Sequence, residues 1–159
     1  MKDKKVLDVC CGPKSMWFDK KDDRVLFLDK RRETHKMSRK SGNRVVVIDP
    51  DEIGDFTDIK YDDNTFTLIV FDPPHIPQET QSGNLCNTYG NLSGDWKGML
   101  KKGFKECFRV LKTNGILIFK WNECRIPIKE ILLLCDEKPL FGHISGKQMN
   151  THWVTFMKE

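Results

Sequence analysis

Asp72, Pro73, Pro74 and His75 follow directly on Leu68-Ile69-Val70-Phe71. The four apolar residues read as a buried strand. Two prolines after it break the strand sharply and fix the backbone. The carbonyl of Pro73 then has no competing local donor. That carbonyl and the Asp72 carboxylate can accept the two hydrogens of one base amino group, which aims the nitrogen lone pair at an electrophile. The His75 ring can stack on the base. The plain alternative is a rigid turn without chemistry. An acid, two prolines and a ring together at a strand end are uncommon enough to weigh against it.

Two further acids sit where a ligand would meet a strand end. Val6-Leu7-Asp8-Val9-Cys10-Cys11-Gly12-Pro13 reads as a strand running into a glycine turn, which lets a ligand approach the backbone closely. By itself such a glycine is usually only a turn. Asp29 ends a second apolar run, where a carboxylate can accept hydrogen bonds from both hydroxyls of a ribose. Its bland reading is a surface acid capping the next helix. Lys120, Trp121 and Asn122 end a later strand and should flank the site, with packing and substrate contact equally open for Trp121. His143, Lys147, His152 and Trp153 are candidates to frame the substrate side, although a lone histidine is more often a structural hydrogen-bonder. Lys30, Arg31, Arg32, Lys36, Arg39 and Lys40 either hold phosphates or form a solvated basic face. The six cysteines, at 10, 11, 86, 107, 124 and 135, include no Cys-x-x-Cys pair, so no metal site and no disulfide framework are expected.

These residues need a scaffold. Val6–Cys10, Val25–Leu28, Val45–Ile48, Leu68–Phe71 and Ile116–Trp121 are apolar runs bounded by polar residues, the pattern of strands buried on both faces of a parallel sheet. Four of the five stop at or near an acid or a glycine, the edge where α/β sheets bind ligands. Trp96, Met99, Leu100, Phe104, Cys107, Phe108 and Leu111 fall at helical spacing, predicting a helix from near Ser93 to Gly115 as C-terminal glycine. A second helix begins near Pro127 and carries Ile128, Ile131, Leu132 and Cys135. A shorter one is expected over residues 13–20. Residues 30–44 read as a frayed helix or a loop, and 75–94 as a long polar loop, functional or mobile. Thr151–Met157 favours a strand.

The chain has 159 residues, which suits one domain spanning 1–159. The formal charge of +4 permits contact with a polyanion without demonstrating it. No apolar run approaches the roughly 20 residues that cross a bilayer, and no signal-peptide core precedes Val6, so a cytoplasmic protein is expected.

Taken together, the motifs resemble those of the class I S-adenosylmethionine-dependent methyltransferases, and within them the amino-methyltransferases acting on adenine N6 or cytosine N4. Their Asp/Asn-Pro-Pro-aromatic tetrad is matched by Asp72, Pro73, Pro74 and His75, with histidine in place of the usual large aromatic. The glycine loop is matched at Asp8 and Gly12, although Lys14 stands where the family has its second glycine, and the ribose acid at Asp29. Gly54-Asp55-Phe56 is similar to the segment that contacts the cofactor adenine. Residues 104–117 are similar to the helix-turn-strand that follows the active-site strand. The Gly142-His143 and Thr151-His152-Trp153 ending, with the histidine after the prolines, resembles small standalone enzymes of phages and prophages.

The resemblance implies a Rossmann-like methyltransferase fold, α/β with a mostly parallel sheet and a C-terminal antiparallel hairpin. It implies S-adenosylmethionine as cofactor, held by Asp8, Cys10, Cys11, Gly12, Asp29, Asp55, Phe56 and Asp72. His75, Lys120, Asn122, His152 and Trp153 are the candidates for substrate contact. The implied reaction is methylation of an exocyclic amino nitrogen, foremost adenine N6 in DNA or RNA, so the expected partner is nucleic acid. The rival readings are a methyltransferase for a small amino-bearing metabolite or nucleotide, a non-catalytic cofactor-binding subunit and, more distantly, a dehydrogenase.

Overall fold

The computed structural model describes residues 4–37, 42–76, 90, 92 and 94–159. In chain order its strands are β1 (Val6–Asp8), β2 (Val25–Asp29), β3 (Glu33–Met37), β4 (Arg44–Ile48), β5 (Glu52–Ile53), β6 (Phe66–Phe71), β7 (Leu111–Asn122), β8 (Phe141–Ser145) and β9 (Thr151–Met157). Helix α1 (Trp96–Val110) precedes β7, and the short α2 (Ile128–Leu132) follows it.

Seven strands form one sheet in the order β5-β2-β1-β6-β7-β9-β8. The first five are parallel, while β9 and β8 run antiparallel, closing the sheet with a C-terminal hairpin. This is the Rossmann-like arrangement, a mostly parallel sheet with a C-terminal antiparallel hairpin, that the family resemblance implies. From β1 the chain builds outward to β2 and β5, then restarts on the other side of β1 with β6 and β7. The crevice between the carboxyl ends of β1 and β6 is therefore a topological switch point, the place where such sheets bind ligands.

Helix α1 forms because its apolar residues recur on one face and Asp95 caps its start, accepting the Gly98 N–H at 2.9 Å. Its buried face carries Leu100, Phe104, Cys107 and Phe108 onto β6, β7 and β9. Phe104 meets Phe71 at 5.4 Å and Phe119 at 4.9 Å between ring centroids. Each such phenylalanine contributes roughly 1.5–3 kcal/mol by leaving water. The helix approaches closely at Gly103, where an added Cβ would lie 2.7 Å from the Phe56 ring and 2.8 Å from Phe71. This core holds the ends of β1, β6 and β7 at fixed spacing.

Several elements differ from the sequence expectation. Residues 13–20 form turns, not a helix: Lys14 takes φ +54°, and the Trp17 indole is drawn back to Asp8. Within the basic stretch after Asp29, Glu33–Met37 form a strand, β3, paired antiparallel with β4 in a separate two-stranded sheet. Val45–Ile48 is therefore not a strand of the parallel sheet. Val46 and Ile48 are buried while Val45 and Val47 are exposed, the alternation of a one-sided hairpin. The place beside β2 is taken by Glu52–Ile53. Helix α1 ends at Val110, not Gly115. Asn114, at φ +63°, makes the left-handed turn, and Gly115 packs where a Cβ would lie 2.7 Å from Leu111. Pro127 precedes α2 as expected, but Cys135 lies beyond that helix. Most of the expected loop at 75–94, with Ser93, Cys86, Arg39 and Lys40, lies outside the described residues. No helix among the described residues is long and apolar enough to cross a membrane.

Candidate functional site

The carboxyl ends of β1, β2 and β6 bring Asp8, Asp29 and Asp72 together around the switch point. Asp8 is 1% exposed. Its carboxylate accepts the Trp17 Nε1–H at 2.7 Å and the Cys10 N–H at 3.3 Å. Burial, against the help of these two donors, pushes its pKa up to about 7, with small additions from the charges of Asp72 and Asp29. Asp29 is also buried and accepts the Gly12 N–H at 2.8 Å and the Arg31 N–H at 3.0 Å, with the Arg31 Nε 3.4 Å away. Gly12 reaches it because φ of +50° turns the loop back over β2. The strand-end acid thus ties the glycine turn to β2. Burial pushes the thiols of Cys10 and Cys11 up, so both stay protonated at neutral pH.

Cys10, Asp29, Arg31, Asp55, Phe56 and Pro74 line one narrow cleft at this edge. The Asp55 carboxylate accepts both the N–H and the hydroxyl of Thr57 at 2.8 Å, which sets the turn that seats Phe56. Phe56 packs on Phe71 at 5.2 Å, so it serves the core as well as the cleft wall. A roomier concavity of about 500 Å³ lies elsewhere, between Lys4, Pro13, Lys14, Phe27, Val47 and Asp51. It touches none of Asp8, Asp29 and Asp72, so volume is a poor guide to the chemistry.

Pro73 and Pro74 are buried directly after β6, and Pro74 joins the tetrad to the cleft that Asp29 lines. Asp72 meets Lys120 of β7, with Nζ 2.5 Å from Oδ2. Burial raises the Asp72 pKa, and the Lys120 charge opposes that rise. The Lys120 ammonium also lies 5.5 Å from the Trp153 ring centroid, its neighbour in register on β9. The His75 ring stands edge-on to Trp121 at 6.3 Å. Burial lowers its pKa from 6.5, which keeps the imidazole neutral at pH 7.

Of the other candidates, Trp121 is fully buried, donates to the Ile126 carbonyl at 2.9 Å and stacks on Phe119, so packing accounts for it. Asn122 spends its amide on Thr151 and Asn150 and accepts from Cys124 N–H, pinning β7 to the start of β9. His152 lies 2.9 Å from Glu123, which also accepts the Ile128 N–H. Both residues reach the expected edge, where Asn122 bonds to the scaffold and His152 sits against Glu123. His143 and Lys147 are exposed on the outer hairpin. Arg32 donates to the Pro50 carbonyl and pairs with Asp49, while Lys30 and Lys36 are exposed. Trp17 has no mark of this role in the sequence, since an indole nine residues past Asp8 carries no local sign of bonding to it. Among the described residues no cluster of His, Cys, Asp or Glu is arranged to hold a metal.

No protein-family model and no curated protein matches the sequence. Solved structures do match. A TehB-like SAM-dependent methyltransferase from Corynebacterium glutamicum superposes with a TM-score of 0.60 at 14% identity, covering 100% of this chain and 82% of the other. The fold is that of SAM-dependent methyltransferases. One from Aquifex aeolicus gives 0.54 at 18% identity, with 99% and 83% covered. The 1,6-didemethyltoxoflavin-N1-methyltransferase of Burkholderia thailandensis, solved with bound 1,6-didemethyltoxoflavin and S-adenosylhomocysteine, gives 0.55 at 10% identity, with 96% and 70% covered.

Proposed function

We propose that the chain is an S-adenosylmethionine-dependent methyltransferase acting on an exocyclic amino nitrogen of a nucleic-acid base, foremost adenine N6. The observation that carries this reading is continuity. The Asp72-Pro73-Pro74-His75 tetrad leaves β6 beside Asp8, and Pro74 lines the same cleft as Asp29, Asp55 and Phe56. An amino group held at Asp72 and a nucleoside held at Asp29 are then neighbours. The neutral His75 ring suits stacking on a base.

The residues fit the cofactor. Asp29 ends β2, where ribose hydroxyls are accepted, and Gly12 lets a ligand approach the loop backbone. Asp8 offers a buried carboxyl that a cationic ligand would draw into its charged form. The sulfonium is itself a strong electrophile, so the protein's task is to position and polarise. Asp72 accepts an amino hydrogen and stabilises the positive charge that nitrogen gains as the methyl group transfers. The fold hosts enzymes for small molecules too, as the 1,6-didemethyltoxoflavin-N1-methyltransferase illustrates. The histidine stacker and the base-type tetrad favour a nucleobase over an aliphatic amine.

Mass spectrometry of nucleosides from cells expressing the wild-type chain, compared with Asp72→Ala, tests the reading. A methylated base present only with the wild type is the expected result. No new methylated nucleoside, together with methylation of mononucleotides or small amines by the purified protein, would replace it with the small-molecule alternative.

A further inference from the structure

Asp72 and Lys120 form a matched pair at the site. Phe71 and Phe119 are direct neighbours in the parallel register of β6 and β7, so the residues after them emerge side by side on the same face. Their side chains meet at 2.5 Å, and both stay within reach of a ligand, at 19% and 26% exposure. The bond uses Asp72 Oδ2, and a carboxylate keeps further acceptor capacity on its second oxygen. Lys120 brings three N–H donors, of which Asp72 takes one. Behind it the Trp153 ring is fixed by its own Nε1–H bond to Ser145 Oγ at 3.1 Å.

The pair therefore presents an acceptor and a charged donor next to each other. Its complement is a donor and an acceptor next to each other: an amino group on a carbon whose neighbouring ring atom is an unprotonated nitrogen. Adenine (N6 with N1) and cytosine (N4 with N3) both carry this edge. Aliphatic amines do not, and being protonated at neutral pH they would also meet the Lys120 charge at short range. A carboxylate alone would attract such cations. Resting on the functional reading above, we propose that Lys120 is a specificity-determining residue that donates to the ring nitrogen beside the target amino group, restricting the substrate to aminopurine or aminopyrimidine rings.

Single-stranded oligonucleotides carrying one adenine, one 7-deazaadenine or one 1-deazaadenine test this by calorimetric binding to the full chain saturated with S-adenosylhomocysteine. The second analogue keeps N1, whereas the third replaces it with C–H. The wild type should bind the first two alike and the third roughly tenfold to hundredfold more weakly, the worth of a charged hydrogen bond. Lys120→Met should bind all three alike at the weaker level. A residue that only holds Asp72 in place would weaken all three and leave their ratio unchanged. Equal binding of adenine and 1-deazaadenine by the wild type overturns the proposal, as does a Lys120→Met protein that still discriminates. If Lys120→Met does not fold, the wild-type comparison decides alone. If cytosine is the base methylated, 3-deazacytosine takes the place of 1-deazaadenine. A wild type that neither binds nor methylates adenine or cytosine strands would instead sink the functional reading.

Discussion

Asp8 is a carboxyl group buried at the centre of the candidate cofactor site, and Asp8→Asn isolates what that burial does. Its pKa is pushed from the ordinary 3.8 to about 7, chiefly because burial disfavours the charged form. A carboxyl whose folded value lies above its unfolded value holds its proton more tightly in the folded state. Between pH 4 and 7 the folded protein therefore binds more proton than the unfolded chain, and stability falls as pH rises. The gap from 3.8 to about 7 corresponds to about 4 kcal/mol, at about 1.4 kcal/mol per pH unit. Asparagine keeps the shape and an oxygen for the Trp17 indole but has no proton to lose. Urea unfolding of both proteins from pH 4 to pH 8 should show their stability difference shifting in favour of Asp8→Asn by about 4 kcal/mol. Subtracting the two curves removes the slopes of Asp72, which has the same sign, and of His75, which has the opposite sign. A difference that stays flat across this range would refute the claim that Asp8 is desolvated at neutral pH.

The remaining predictions concern the site and its support. Asp72→Ala should cut turnover by orders of magnitude while S-adenosylhomocysteine affinity changes little, since the acceptor matters most once the amino nitrogen carries charge. His75→Phe should preserve or raise activity and His75→Ala should lose about 1–3 kcal/mol of base binding, as stacking requires; a folded, cofactor-binding but inactive His75→Phe would instead make the imidazole a proton acceptor. Asp29→Ala should weaken S-adenosylhomocysteine binding by about 1–3 kcal/mol in calorimetry, and unchanged affinity would remove Asp29 from the cofactor site. Gly103→Ala should destabilise the fold by about 1–3 kcal/mol in denaturant titration, because the new methyl meets two aromatic rings at under 3 Å.

What the sequence determined alone is what contiguous residues encode. The apolar runs that begin at Val6, Val25 and Leu68 are strands because burial on both faces demands continuous hydrophobicity, although the first stops at Asp8 and not at Cys10. The period of Leu100, Phe104, Cys107 and Phe108 makes a helix, and the two prolines stop β6 where they stand. Thr151–Met157 is a strand, as its residue types suggested, while its antiparallel pairing with β7 is a matter of the sheet. Pairing between distant segments was not legible. Val45–Ile48 has the composition of a central strand, yet its alternating exposure is decided by β3 lying beside it. Glu52–Ile53 has no strand signature and takes the sheet edge only because β2 offers unpaired backbone there. Residues 13–20 form turns in which the Trp17 indole bonds to Asp8, a contact between segments that no local period encodes. The same holds at the site. Gly12 reaches Asp29 across 17 residues and Lys120 reaches Asp72 across 48. Each such contact depends on which strands are neighbours and in what register, a choice made by packing of the whole sheet and written in no local run of the chain.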